Sequence, residues 1–143
     1  MKITALSVQA FATTLMLGLA ATAQSQSLDI KPGLWKKTMK METGGRTVMD
    51  TTIDACMTTD DLDLKKTAAK MAQSPSCTMT QQELTPKRIK VVLQCKEMLA
   101  ESTTEVKGPE SVVVTATMKP TGSSEVTRST ETWSFVKADC TKQ

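Results

Sequence analysis

Residues 77–95 read CTMTQQELTPKRIKVVLQC. A cysteine at each end, a Thr-Pro-Lys turn signal between the arms and alternating apolar residues on both sides describe an antiparallel hairpin. With Thr85, Pro86 and Lys87 as a three-residue loop, Glu83 faces Ile89, Met79 faces Leu93 and Cys77 faces Cys95. Cys77, Met79, Ile89, Val91, Leu93 and Cys95 then share one side, because side chains alternate along a strand. Opposed residues at a non-hydrogen-bonded position of such a pair have Cα atoms close enough for a disulfide. The stretch predicts a half-buried hairpin closed by a Cys77–Cys95 bridge.

The same alternation extends in both directions. Runs rich in Thr, Val and Met, punctuated by Gly, Pro and Ser, predict strands over 34–42, 46–55, 77–84, 88–96, 101–107, 111–119 and 125–136. The exception is 59–72, where Thr58 and Asp61 resemble a capping box, acids precede Lys65, Lys66 and Lys70, and Leu62, Leu64, Ala68, Ala69 and Met71 make an apolar face. One helix is expected there. The fold class that follows is mainly β: an antiparallel up-and-down curved sheet or open barrel of seven strands, with one helix after the second strand.

In the first hairpin the turn length decides which residues meet. A three-residue loop at Thr43, Gly44 and Gly45 pairs Met39 with Met49 and Trp35 with Ile53, so that Trp35, Met39, Met41, Met49 and Ile53 share a face. A bare Gly-Gly turn puts Met49 and Ile53 on the other side. Burial therefore favours the longer loop, with Trp35 packed against the methionine-bearing hairpin. That face is the candidate core or ligand surface.

Four cysteines, Cys56, Cys77, Cys95 and Cys140, make an even set, and the chain has no histidine. No Cys-x-x-Cys spacing occurs, so a zinc or redox site is disfavoured and two structural disulfides are expected. With Cys77 joined to Cys95, Cys56 is left for Cys140. A helix of about a dozen residues rises about 20 Å, the length of a strand, and can carry the chain back along the sheet. The last strand then brings Cys140 to the end where Cys56 lies, beside the second strand. The alternative, Cys56–Cys77 across the helix with Cys95–Cys140, stays open.

The opening 23 residues fit a signal peptide: Lys2, an apolar run to Ala20, and a small-x-small site at Ala21, Thr22 and Ala23. Gln9, the interior threonines and the lack of a basic stop-transfer cluster argue against a retained membrane span. Removal of 1–23 leaves 24–143, the length of one disulfide-stapled domain. The formal net charge of +3 falls by one as Lys2 leaves. Basic pairs such as Lys36 and Lys37 are not interleaved with stacking aromatics, so no nucleic-acid partner is indicated. An exported, periplasmic protein is expected.

Shortly after the expected cleavage site, residues 31–41 read KPGLWKKTMKM. Pro32 restrains the entry, Gly33 permits close approach to the sheet, and Trp35 is the first large apolar anchor. Together with CMTTDDL, SCTMT, VVLQCKE and the terminal ADC, this opening resembles the bacterial secreted domain-of-unknown-function family 3617. Members of that family pair a Pro-Gly-Leu-Trp start with four similarly placed cysteines. Lys36 stands where they usually carry Glu, and this chain is poorer in glycine. The resemblance implies export and the fold; it implies no activity, cofactor or catalytic residue.

Three functional classes can be weighed. The favoured one is a non-enzymatic binding or interaction module of the cell envelope, whose curved face takes a small apolar ligand or an envelope protein. Met39, Met41 and Met49 could instead offer thioethers to Cu(I), although methionine on a strand is ordinarily core filler. An enzyme would draw on Asp50, Asp54, Asp60, Asp61, Glu101 or Glu105, whose spacing singles out no pair. Without histidine the commonest general base is missing, and no catalytic, metal or cofactor site is assigned.

Overall fold

The computed structural model describes residues 26–72 and 76–140. The signal segment expected over 1–23 lies outside the described residues. Seven strands and one helix follow in order: β1 (Gly33–Thr43), β2 (Arg46–Met57), α1 (Leu64–Ala72), β3 (Cys77–Thr85), β4 (Arg88–Cys95), β5 (Met98–Gly108), β6 (Ser111–Pro120) and β7 (Thr127–Lys137). They form one open antiparallel sheet in the order β2-β1-β7-β6-β5-β4-β3. This is a meander whose last strand has joined its first, interrupted only where α1 connects β2 to β3.

Both hairpins differ from expectation near their turns, and in the same way. In the first, Gly44 and Gly45 alone make the turn, at φ 58° and 77°, and Thr43 pairs with Arg46. Two successive left-handed residues suit the twist of a tight hairpin, and glycine occupies that conformation without strain. The register then shifts between Met41 and Glu42, leaving Val48 as the extra residue. Met41 faces Met49, Met39 faces Thr51, Lys37 faces Ile53 and Trp35 faces Ala55. The bulge restores the alternation that a bare two-residue turn would have reversed. Trp35, Met39, Met41, Met49 and Ile53 therefore do share a face, although the expected Trp35–Ile53 and Met39–Met49 pairs are not formed.

In the second hairpin Thr85 pairs with Arg88 and Leu84 with Ile89, so Pro86 and Lys87 form a two-residue turn. A shift between Met79 and Gln81 then leaves Thr80 unpaired and brings Met79 opposite Leu93 and Cys77 opposite Cys95, as expected. Cys77 and Cys95 are disulfide-bonded, with Cα atoms 3.9 Å apart. Cys56 and Cys140 form the other bridge, at 5.4 Å. By chain entropy the two bridges, 18 and 84 residues apart in sequence, contribute about 3 and about 4.5 kcal/mol.

The longer bridge is not made between neighbouring strands. β7 lies one strand away from β2, with β1 between them. Leu34 pairs with Cys56 on one side and Lys137 on the other, so the bridge runs over the outer side of Leu34. That explains why Leu34, pointing away from the core, is only 7% exposed.

The helix begins later than expected. Thr58 and Asp61 do exchange capping-box bonds: the Thr58 amide donates to Asp61 Oδ2 at 3.0 Å, and the Asp61 amide donates to Thr58 Oγ1 at 3.3 Å. They close a turn, not the helix. Asp63 is the true cap, its Oδ1 accepting from the amides of Lys65 and Lys66 at 2.8 and 3.1 Å. The nine-residue helix is about 13 Å long, and the turns before it supply the rest of the return path. Starting at Leu64 lets both Leu62 and Leu64 point into the core, at 3% and 1% exposure.

Candidate functional site

The face that carries Trp35 is roofed where β1 begins and along β4, and left open over the far halves of β1 and β2. Leu28 and Ile30 from the entering chain, with Leu62 and Leu64 from the turn and helix, pack against Trp35, Ile89, Val91 and Val112. This lid is held by backbone bonds from Leu28 to Leu62, Asp29 to Pro86 and Lys31 to Pro109. Gly33 makes the entry possible: at φ 143° a Cβ would collide with the Lys137 carbonyl and the Phe135 ring. Trp35 is fully buried, donates from Nε1 to the Lys31 carbonyl at 3.0 Å and meets Phe135 edge-on at 5.6 Å. It was expected to pack on methionines; its neighbours are instead the lid and Phe135, because it sits at the roofed end of β1.

Beyond that end the face changes character. Met39 and Met41 are partly buried, whereas Met49 and Ile53 are 44% and 55% exposed. None of the four belongs to the core cluster. Across the middle of the sheet the side chains are small: Ser129 on β7 pairs with Ala116 on β6, and Ala116 with Ser102 on β5. Met41 flanks Ser129 on one side, and the buried Val91 faces Ser102 on the other, while Leu93 and Met79 stand in the next row, opposite Ala100. The three small residues of this row, between Met41 and Val91, lower the floor of the inner face there into a shallow trough, with Glu131 and Val114 in the row on one side and Met118 in the row on the other.

At the boundary between roofed and open parts stand three polar groups that sequence reasoning did not single out. Lys37 shares the inner face with Trp35 and Met39, and its Nζ lies 3.7 Å from the centroid of the Trp133 ring. Burial holds its pKa below the usual lysine value, opposed by the charges of Glu131 and Asp61. Its ammonium forms no ion pair among the described residues. Trp133 Nε1 is buried and has no hydrogen-bond acceptor. Glu131 is in the next inward row, opposite Met39. In the sequence Lys37 stands as half of the Lys36–Lys37 basic pair; its phase with Trp35 and Met39 was the signal that set it apart from Lys36.

The carboxylates considered for catalysis are dispersed. Asp50 and Asp54 lie on the outer face of β2, opposite Lys40 and Lys36. Asp60 pairs with Lys66 at 2.8 Å, Asp61 with Lys70 at 3.6 Å and Glu101 with Lys90 at 3.0 Å, and Glu105 pairs with Lys107. Hydrogen bonds from Thr58 hold Asp61 below the ordinary carboxylate range, and backbone amides do the same for Asp63. Among the described residues no group of three His, Cys, Asp or Glu could hold a metal ion. An outer-face depression of about 360 Å³, lined by Thr38, Lys40, Glu42, Arg128, Thr130 and Thr132, holds the exposed Lys40–Glu42 ion pair, the Arg128 guanidinium and threonine hydroxyls. No helix among the described residues is long and apolar enough to cross a membrane.

The arrangement defines a disulfide-stapled, half-roofed antiparallel β-sheet protein. The family model described as "Protein of unknown function (DUF3617)" matches residues 30–140, and the chain belongs to that family. No curated protein and no solved structure matches it.

Proposed function

We propose that this protein is an exported, non-enzymatic binding module of the bacterial cell envelope, working in the periplasm, whose half-open inner face holds a small apolar ligand. The observation that carries the reading is the division of that face: Trp35 is sealed, while Met49 and Ile53 remain 44% and 55% exposed on the same side. Two disulfides support residence in an oxidising compartment. Methionine side chains adapt to ligands of varied shape and suit such a trough. Native mass spectrometry of the mature protein purified from its own host tests the reading. Co-purified apolar molecules support it, and an empty protein that also fails to bind an apolar fluorescent probe contradicts it.

One observation favours a second reading. The register sets Met41 directly opposite Met49, with Met39 two residues along the same face, so three thioethers are near enough together to interest Cu(I). Sub-micromolar Cu(I) binding that disappears in Met41→Leu would favour it over the apolar ligand.

A further inference from the structure

The trough has a polar end, and its chemistry restricts what can lie there. Lys37 and Trp133 face each other across β1 and β7, where the roof stops. The Trp133 Nε1–H is buried without an acceptor, an arrangement that native proteins rarely leave uncompensated. Beside it the Lys37 ammonium sits over the same ring. Both are donors, and neither has an acceptor partner among the described residues. From this row the inner face runs six residues along β1, from Lys37 to Thr43, about 20 Å at strand spacing. It passes Met39, with Glu131 opposite, and Met41, with Ser129 opposite, toward Met118, which pairs with Thr127.

We infer that the ligand is an acyl chain whose oxygen end, a carboxylate or an ester carbonyl, accepts hydrogen bonds from Trp133 Nε1 and Lys37 Nζ while its tail lies along the methionine-lined trough. This rests on the apolar-ligand reading and deepens it. A carbonyl oxygen can accept two hydrogen bonds, one for each orphan donor. Those bonds gain strength in a partly desolvated site, and the one from the ammonium is charge-assisted. Glu131 and Asp61 are the acidic groups that bear on Lys37, and they oppose a full negative charge on the ligand. The ester and the carboxylate therefore compete on near-equal terms.

The test uses the mature, disulfide-bonded protein and measures displacement of an apolar fluorescent probe by dodecanoate, methyl dodecanoate and dodecane. The two oxygenated ligands are expected to bind about tenfold more tightly than dodecane, the effect of a well-placed charge-assisted hydrogen bond. Trp133→Phe and Lys37→Met should each reduce that preference toward unity and leave dodecane binding in place. If dodecane binds as well as the other two, or if neither variant alters the preference, the inference is overturned and the apolar trough survives. If none of the three ligands displaces the probe, both readings fall. A lead of dodecanoate over its ester, lost in Lys37→Met, assigns the head as a carboxylate. Equal affinity, with the preference lost in Trp133→Phe, assigns it as a carbonyl.

Discussion

Trp35 and Ile53 point to the same side of two paired strands, yet one is fully buried and the other 55% exposed. The strands do not make this difference. It comes from Leu28, Ile30, Leu62 and Leu64, which reach the sheet from segments outside it and cover the end where β1 begins and the inner side of β4, leaving Ile53 uncovered. A sheet face is buried only as far as something lies on it. Here the roof is shorter than the strands beneath it, so one face serves as core at one end and as surface at the other.

Replacing Trp35 with Ala should be the most damaging change at that face, costing about 3–5 kcal/mol by the loss of a core indole. Ile53→Ala, on the same face, should stay within about 0.5 kcal/mol. Urea unfolding of the two variants measures the contrast, and a similar cost for both would mean that the face is uniformly packed. Gly33→Ala should come next, at about 1–3 kcal/mol. It strains a positive φ and drives a Cβ into the Lys137 carbonyl. Loss of stability with little change in the cooperativity of unfolding is the expected result.

Lys37→Met should change stability by no more than about 0.5 kcal/mol in the absence of ligand. Removing a half-buried charge relieves desolvation, and losing the contact with Trp133 offsets the gain. Because the Lys37 pKa is depressed in the folded state, the native protein should gain stability as pH rises from that value toward the ordinary lysine pKa. The variant should lose that rise. A large destabilisation would make Lys37 a structural residue and remove the reason to assign it to a ligand.

The smallest effect expected is at acid pH. Asp61 and Asp63 are held below the ordinary carboxylate range by bonds to Thr58 and to the first amides of α1. Their contribution is complete at neutral pH and is lost as pH falls through their depressed values. Helix-associated amides should therefore exchange faster below the normal carboxylate range while the sheet remains protected. Asp63→Asn, which retains a capping oxygen, should flatten that dependence.

Much of this architecture can be read from residues 77–95 and their neighbours. Alternation defines the strands, Cys77 and Cys95 fall opposite each other, and Cys56 with Cys140 follows. The pairing beside the turns cannot be read in the same way. A three-residue loop and a two-residue turn followed by a bulge leave the same residues on the same face, and parity was the only criterion the sequence offered. Val48 and Thr80, the extra residues, carry no mark of their role. The helix start was misplaced because a genuine Thr58–Asp61 reciprocal bond closes a turn before the Asp63 cap. The candidate face was legible as a set, but its division was not. How far a roof extends depends on where Leu28 and Leu62 land in three dimensions, which strand periodicity does not report. Lys37 was concealed by its neighbour Lys36, although only Lys37 is in phase with Trp35.

Hydroxyl-radical footprinting of the disulfide-bonded protein, comparing labelling of each side chain in the native and urea-unfolded states, tests the half-roofed face most directly. Trp35 should be strongly protected by folding, Met39 and Met41 moderately, and Met49 and Ile53 hardly at all. Protection of Met49 and Ile53 as strong as that of Trp35 would show a closed core along the whole face, contradicting the trough and every ligand assignment built on it.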